Sequence, residues 1–126
     1  MNRNLEQPAP HIFKKCTCCG HTWTTREDFL SDPTIVIIGY QVRFDKPDLG
    51  FLLFNHLVRD CETTMAIKAG EFSDLYDGPI YEESLTNTGE CPEYCLNKED
   101  LRPCPAKCAC AYVREVIQII KYWTKR

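Results

Sequence analysis

Nine cysteines in 126 residues constrain this chain more than any other feature. An odd number cannot close into a complete set of intramolecular disulfides, and a lone free cysteine is usually just a buried apolar residue. The opening residues, MNRNLEQPAPHIFKK, hold no apolar stretch of signal-peptide length. The expectation is therefore a cytoplasmic chain whose thiols stay reduced. In that setting clustered thiols are metal ligands or redox groups. The longest apolar run, counting cysteine, is Cys108–Val113. It falls far short of the roughly 20 residues of a membrane span, so no membrane contact is expected.

The length suits one domain, and 44% hydrophobic with 26% charged residues is a globular composition. Residues 1–12, with Pro8 and Pro10, read as a loose leader. Residues 13–33 carry a cysteine knuckle and a short helix, announced by Thr24-Thr25-Arg26-Glu27 as a capping pattern and stopped by Ser31-Asp32-Pro33. Residues 34–69 read as three strands, Thr34–Phe44, Gly50–Val58 and Cys61–Ala69, whose short connections predict an antiparallel meander. In the first of these, Val36, Ile38, Tyr40, Val42 and Phe44 share one face at period two. Residues 70–105 form an acidic loop with a cysteine cluster. Residues 106–123 predict an amphipathic helix, with Ala109, Val113, Val116, Ile117, Ile120 and Trp123 at helical spacing. Cys104-Pro105 suits its N-terminus. The fold class expected is α+β: a small sheet of about three strands packed by the C-terminal helix, with an N-terminal metal knuckle and a cysteine-rich helical hairpin.

The first thiol group is Cys16-Thr17-Cys18-Cys19-Gly20. Two residues between Cys16 and Cys19 let a tight turn bring both sulfurs to one ion, and Gly20 lets the backbone fold back beneath them. Cys18 is the spare. This C-x2-C-G string, followed by Trp23, resembles the knuckle of zinc ribbons and rubredoxins over about ten residues. The chain departs from that pattern in having no second C-x2-C. The resemblance implies a metal half-site that needs two more ligands. His56 and Cys61, flanking the turn between the second and third strands, are the nearest candidates, with His21 as another. The competing readings are a hydrogen-bonded strand-end histidine and a buried thiol.

The second group is Cys91-Pro-Glu-Tyr-Cys95, then Cys104-Pro-Ala-Lys-Cys108-Ala-Cys110. Five cysteines in 20 residues are too dense for core packing alone. On helices, each C-x3-C would set two thiols one turn apart, so that Cys91/Cys95 and Cys104/Cys108 face each other across a hairpin. The pattern is similar to the twin C-x3-C helical hairpins of disulfide-bonded intermembrane-space proteins, with a shorter spacer and an added fifth cysteine. Four thiolates at one ion is the preferred reading. One or two zinc ions are expected. An iron–sulfur cluster on Cys95, Cys104, Cys108 and Cys110, or redox-active cysteine pairs within 91–110, is the alternative.

Net charge is −3, but Glu71 to Asp100 holds nine acids against Lys98 alone, which leaves +5 over the other 96 residues. Such a segment repels phosphate. It weighs against nucleic-acid binding, despite the small basic and aromatic neighbourhood of Lys14, Lys15, His21, Trp23 and Arg26. No nucleophile motif, phosphate loop or dinucleotide fingerprint is present, so the sequence leans away from catalysis. The function expected is a metal-stabilised binding or adaptor module with a protein partner. The C-terminal helix is a further candidate for self-association.

Overall fold

The structure, a computed structural model, describes residues 12–126; the expected leader lies outside them except for Ile12. The described residues open with two short antiparallel strands, β1 (Lys14–Lys15) and β2 (Thr22–Trp23), with Lys14 opposite Trp23 and Lys15 opposite Thr22. They are the arms of the knuckle. Helix α1 (Arg26–Ser31) follows, capped by Thr25, whose Oγ1 accepts a hydrogen bond from the Asp28 amide at 3.0 Å. The cap is thus Thr25 with Asp28, one residue on from the expected Thr24–Glu27 pair. Glu27 and Asp28 in the first turn complement the helix dipole.

Strands β3 (Ile35–Gln41), β4 (Phe51–His56) and β5 (Thr64–Lys68) form an antiparallel sheet in the order β3-β4-β5, the expected meander. One detail of the face assignment is corrected. The register slips between Ile37 and Gly39, so Ile38 is an extra residue in a bulge. Ile35 and Ile37 are therefore buried on the same side as Tyr40, while Val36 is exposed. Beyond the bulge, Tyr40 donates its amide to the Lys98 carbonyl at 2.7 Å. A Cβ on Gly39 would stand 3.0 Å from that same oxygen. The glycine lets the cysteine-rich loop lie against the edge strand.

The third strand starts at Thr64 rather than at Cys61, which sits in the turn before it. Its amide bonds the Val58 carbonyl at 2.9 Å, and Asp60 and Glu62 adopt positive φ. A 3-10 helix, Ala69–Leu75, follows β5 where an acidic loop is expected.

Helix α2 (Ala111–Lys121) starts about five residues later than predicted. An amide that would build an earlier first turn is used elsewhere: Ala109 bonds the Glu83 carbonyl at 2.8 Å. The expected helical hairpin is likewise corrected. Among the described residues of 91–108, the only helical piece is a 3-10 turn at Tyr94–Leu96. Pro92, Pro103 and Pro105 push Cys91, Arg102 and Cys104 toward extended backbone and remove amide donors.

Val113, Val116, Ile117 and Ile120 of α2 are buried in the core they share with the sheet. In the same core, Phe29 of α1 stacks edge-on against Trp23 and Phe54 at centroid distances of 5.1 and 5.0 Å. The mixed α+β class is as expected.

Candidate metal centre

The knuckle is a tight loop between β1 and β2. Cys16 donates its amide to the His21 carbonyl at 2.8 Å, and Gly20 donates to the Cys16 carbonyl at 2.9 Å. Gly20 carries φ +81°, the left-handed value that a side chain resists. No atom outside its immediate neighbours lies within 4 Å of where its Cβ would be, so Gly20→Ala meets backbone strain rather than a clash. It is expected to cost about 1–2 kcal/mol in urea unfolding, with metal still bound.

His56 ends β4, and Cys61 lies in the following turn, so the β4–β5 connection aims both side chains back at the knuckle. Cys16 Sγ stands 3.5 Å from Cys61 Sγ. His56 Nδ1 stands 3.7 Å from both Cys19 Sγ and Cys61 Sγ. All four ligand atoms lie within 4.8 Å of one another. Zinc–sulfur bonds of about 2.3 Å in a tetrahedron set the sulfurs about 3.8 Å apart, so these spacings are the edges of a single-ion site. Three soft thiols and one imidazole form a donor set that suits a transition-metal ion. Both residues left open in the sequence, His56 and Cys61, belong to the set. His21 is exposed outside it, its ring against Trp23 at 4.6 Å.

Local electrostatics favour a metal-ready thiolate. Cys16 is fully buried, which by itself raises its pKa. The Cys19 and Cys18 amides, together with His56 and Cys61, outweigh that and bring the thiol down to about 6. At Cys19 the His21 amide lowers the thiol, but desolvation and the neighbouring Cys16 and Cys61 sulfurs outweigh it; at Cys61 burial leads; both end raised. Cys18 Sγ is exposed and lies 3.9 Å from the Cys61 carbonyl, outside the ligand set. Cys18→Ser is expected to retain the full metal content and to shift stability by no more than about 0.5 kcal/mol. Metal loss equal to that of Cys16→Ser would contradict the ligand assignment.

Behind the centre, the Trp23 ring packs 5.0 Å from His56, and its Nε1 donates to Asp32 Oδ2 at 2.9 Å. Asp32 Oδ1 accepts from the Thr34 amide at 2.8 Å and the Thr34 hydroxyl at 2.6 Å. Burial opposes ionisation of Asp32, but these donors and the nearby His56 hold its pKa below the ordinary carboxylate value. A depressed carboxylate stabilises the fold above its unfolded value of about 3.9 and loses that contribution as pH falls through the lower folded value. Asp32→Asn is expected to cost about 1–2 kcal/mol at pH 7. The gap between parent and variant should persist at pH 5 and close below about pH 4.

The five downstream thiols are brought together differently. Cys91, Cys95, Cys104, Cys108 and Cys110 line one small cavity with Pro92 and Tyr94. Cys110 Sγ lies 3.5 Å from Cys95 Sγ and 3.6 Å from Cys108 Sγ. Contact with the Cys110 thiol, against the opposing effect of burial and with help from Arg114, brings Cys95 down to about 6. Among the described residues, only the Cys16 group has all its ligand atoms mutually within 4.8 Å. Sequence reasoning missed Arg114. Its signal was a cation at the i+4 position from Cys110, beside the apolar stripe of α2.

No known protein family, characterised protein or solved structure matches this chain. Among the described residues, no helix is long and apolar enough to cross a membrane.

Proposed function

We propose that this chain is a zinc-stapled α+β module that works by binding a protein partner in the cytoplasm rather than by turning over a substrate. The observation that carries the reading is closure of the Cys16, Cys19, His56 and Cys61 set. Four protein ligands around one ion leave no position for substrate or a reactive water, as in structural zinc sites; catalytic zinc keeps one position open. All nine cysteines are free, which suits a reducing compartment. The strongly acidic 71–100 segment disfavours a nucleic acid and leaves a protein as the natural partner. The test is elemental analysis and an absorption spectrum on protein purified without oxygen, beside its Cys16→Ser variant. Colourless protein whose zinc falls by one ion per chain in the variant supports the reading. Coloured protein whose iron is lost in that variant overturns it.

A second reading, a redox role for the 91–110 segment, is favoured by the 3.5 Å approach of Cys95 Sγ to Cys110 Sγ. Mild peroxide would then take two electrons and two protons from the pair, giving a Cys95–Cys110 disulfide and water. Peptide mapping that finds this bond reversibly formed, in a chain otherwise intact, supports the redox role. Recovery of both thiols unmodified contradicts it.

A further inference from the structure

We propose that the loop preceding α2 folds around a second ion, held by Cys95, Cys104, Cys108 and Cys110, with the buried Arg114 guanidinium as its built-in counter-cation. This centre is separate from the Cys16 site and does not rest on it.

The sulfur spacing comes first. Cys110 stands 3.5 and 3.6 Å from Cys95 and Cys108, two contacts close to the edge of a tetrahedron about one zinc-sized ion, while the group as a whole is more open than the Cys16 set and would draw in around the ion. In a cubane iron–sulfur cluster each thiolate binds its own iron, which holds the sulfurs further apart. Cys104 lines the same cavity. Cys91 lines the cavity too, as the fifth and spare thiol of this assignment.

Arg114 supplies the second, independent observation. It is fully buried, and arginine does not lose its proton in proteins. Its Nη1 donates to the Asp100 and Arg102 carbonyls at 2.6 and 3.0 Å, and its Nε donates to Cys95 Sγ at 3.4 Å. Nη2 is buried without a partner. Among the described ion pairs, none includes Arg114. A buried cation needs an anion, and carbonyls are not one. In the planar guanidinium, the Nε–H and one Nη2–H leave along the same edge, so the unpartnered donor faces the side where Cys95 lies. A divalent ion on four thiolates carries a net charge of −2, and its sulfurs accept N–H donors at that edge. A neutral Cys95–Cys110 disulfide would leave the charge uncompensated.

The test loads the full chain with cadmium-113 and reads its NMR spectrum. Two resonances are expected, a four-sulfur ion downfield of a three-sulfur, one-nitrogen ion. Cys108→Ser should remove the first alone, Cys16→Ser the second alone, and Cys91→Ser neither. Arg114→Met should weaken the four-sulfur ion by at least about tenfold in chelator competition without changing the other, with partial recovery in Arg114→Lys. The parent spectrum needs no variant, so misfolding of a mutant does not blur the outcome. A single three-sulfur, one-nitrogen resonance at saturating cadmium overturns this proposal and leaves the Cys16 centre standing. A lone four-sulfur resonance would do the reverse. Unchanged affinity in Arg114→Met overturns the role of the arginine.

Discussion

Cys61→Ser is expected to lose the ion of the Cys16 centre and, with it, cooperative folding of the half of the chain that contains the knuckle. Cys61 is the link across the site: its sulfur meets Cys16 of the knuckle at 3.5 Å and His56 of the sheet at 3.7 Å. Strands β1 and β2 are two residues each, too short to stand as an isolated hairpin. Structural zinc in small domains contributes about 10–16 kcal/mol of apparent binding free energy at neutral pH, as large as the whole stability of most domains. Removing one of four ligands therefore outweighs anything the knuckle gains from packing Trp23. The variant should show one less zinc per chain and an early, broadened loss of circular dichroism on heating, where Cys18→Ser shows neither. Parent-like zinc content, with a Tm within about 2 °C of the parent, would contradict the role assigned to Cys61.

Phe54→Ala is expected to be the most damaging substitution that leaves every metal ligand in place. Phe54 lies on the central strand β4 and is fully buried. Its ring stands 5.0 Å from Phe29 on α1 and 5.7 Å from Phe72 in the 3-10 turn, so it joins three elements at once. Truncation of a buried phenylalanine costs about 3–5 kcal/mol, from lost burial and the cavity left behind. Val36→Ala, on the exposed side of the same sheet, should cost no more than about 0.5 kcal/mol. In urea the Phe54 variant should unfold at a much lower midpoint while still binding the parent's complement of zinc before unfolding. Equal midpoints for the two variants would place the core elsewhere.

Much of this architecture is legible in the residues themselves. Alternation in TIVIIGYQ and the turn residues around Arg59-Asp60 are enough to place the meander, and C-x2-C-G is enough to place half of a metal site. The other half depends on one connection: His56 and Cys61 can only converge because the turn between them carries two residues at positive φ, Asp60 and Glu62. Neither is a glycine or asparagine, the usual flags for such backbone. The bulge at Ile38 is invisible to periodicity because every residue from Ile35 to Ile38 is apolar, so a slip of one position changes nothing in the pattern. The 91–110 segment was misread as helical because C-x3-C matches the spacing of a helix turn. Three prolines argue the other way, and the Ala109 amide is taken by the Glu83 carbonyl. Arg114 was overlooked because a single cation beside an apolar stripe is ordinarily a solvated residue; only its complete burial shows that it faces thiols.

The most direct measurement of the central claim is anomalous scattering at the zinc edge from crystals grown without chelator. The account predicts a strong peak between the sulfurs of Cys16, Cys19 and Cys61, bonded to His56 through Nδ1, with Cys18 and His21 outside the coordination sphere. Zinc-replete crystals with no peak there, or with Cys16 and Cys61 joined as a disulfide, would contradict it.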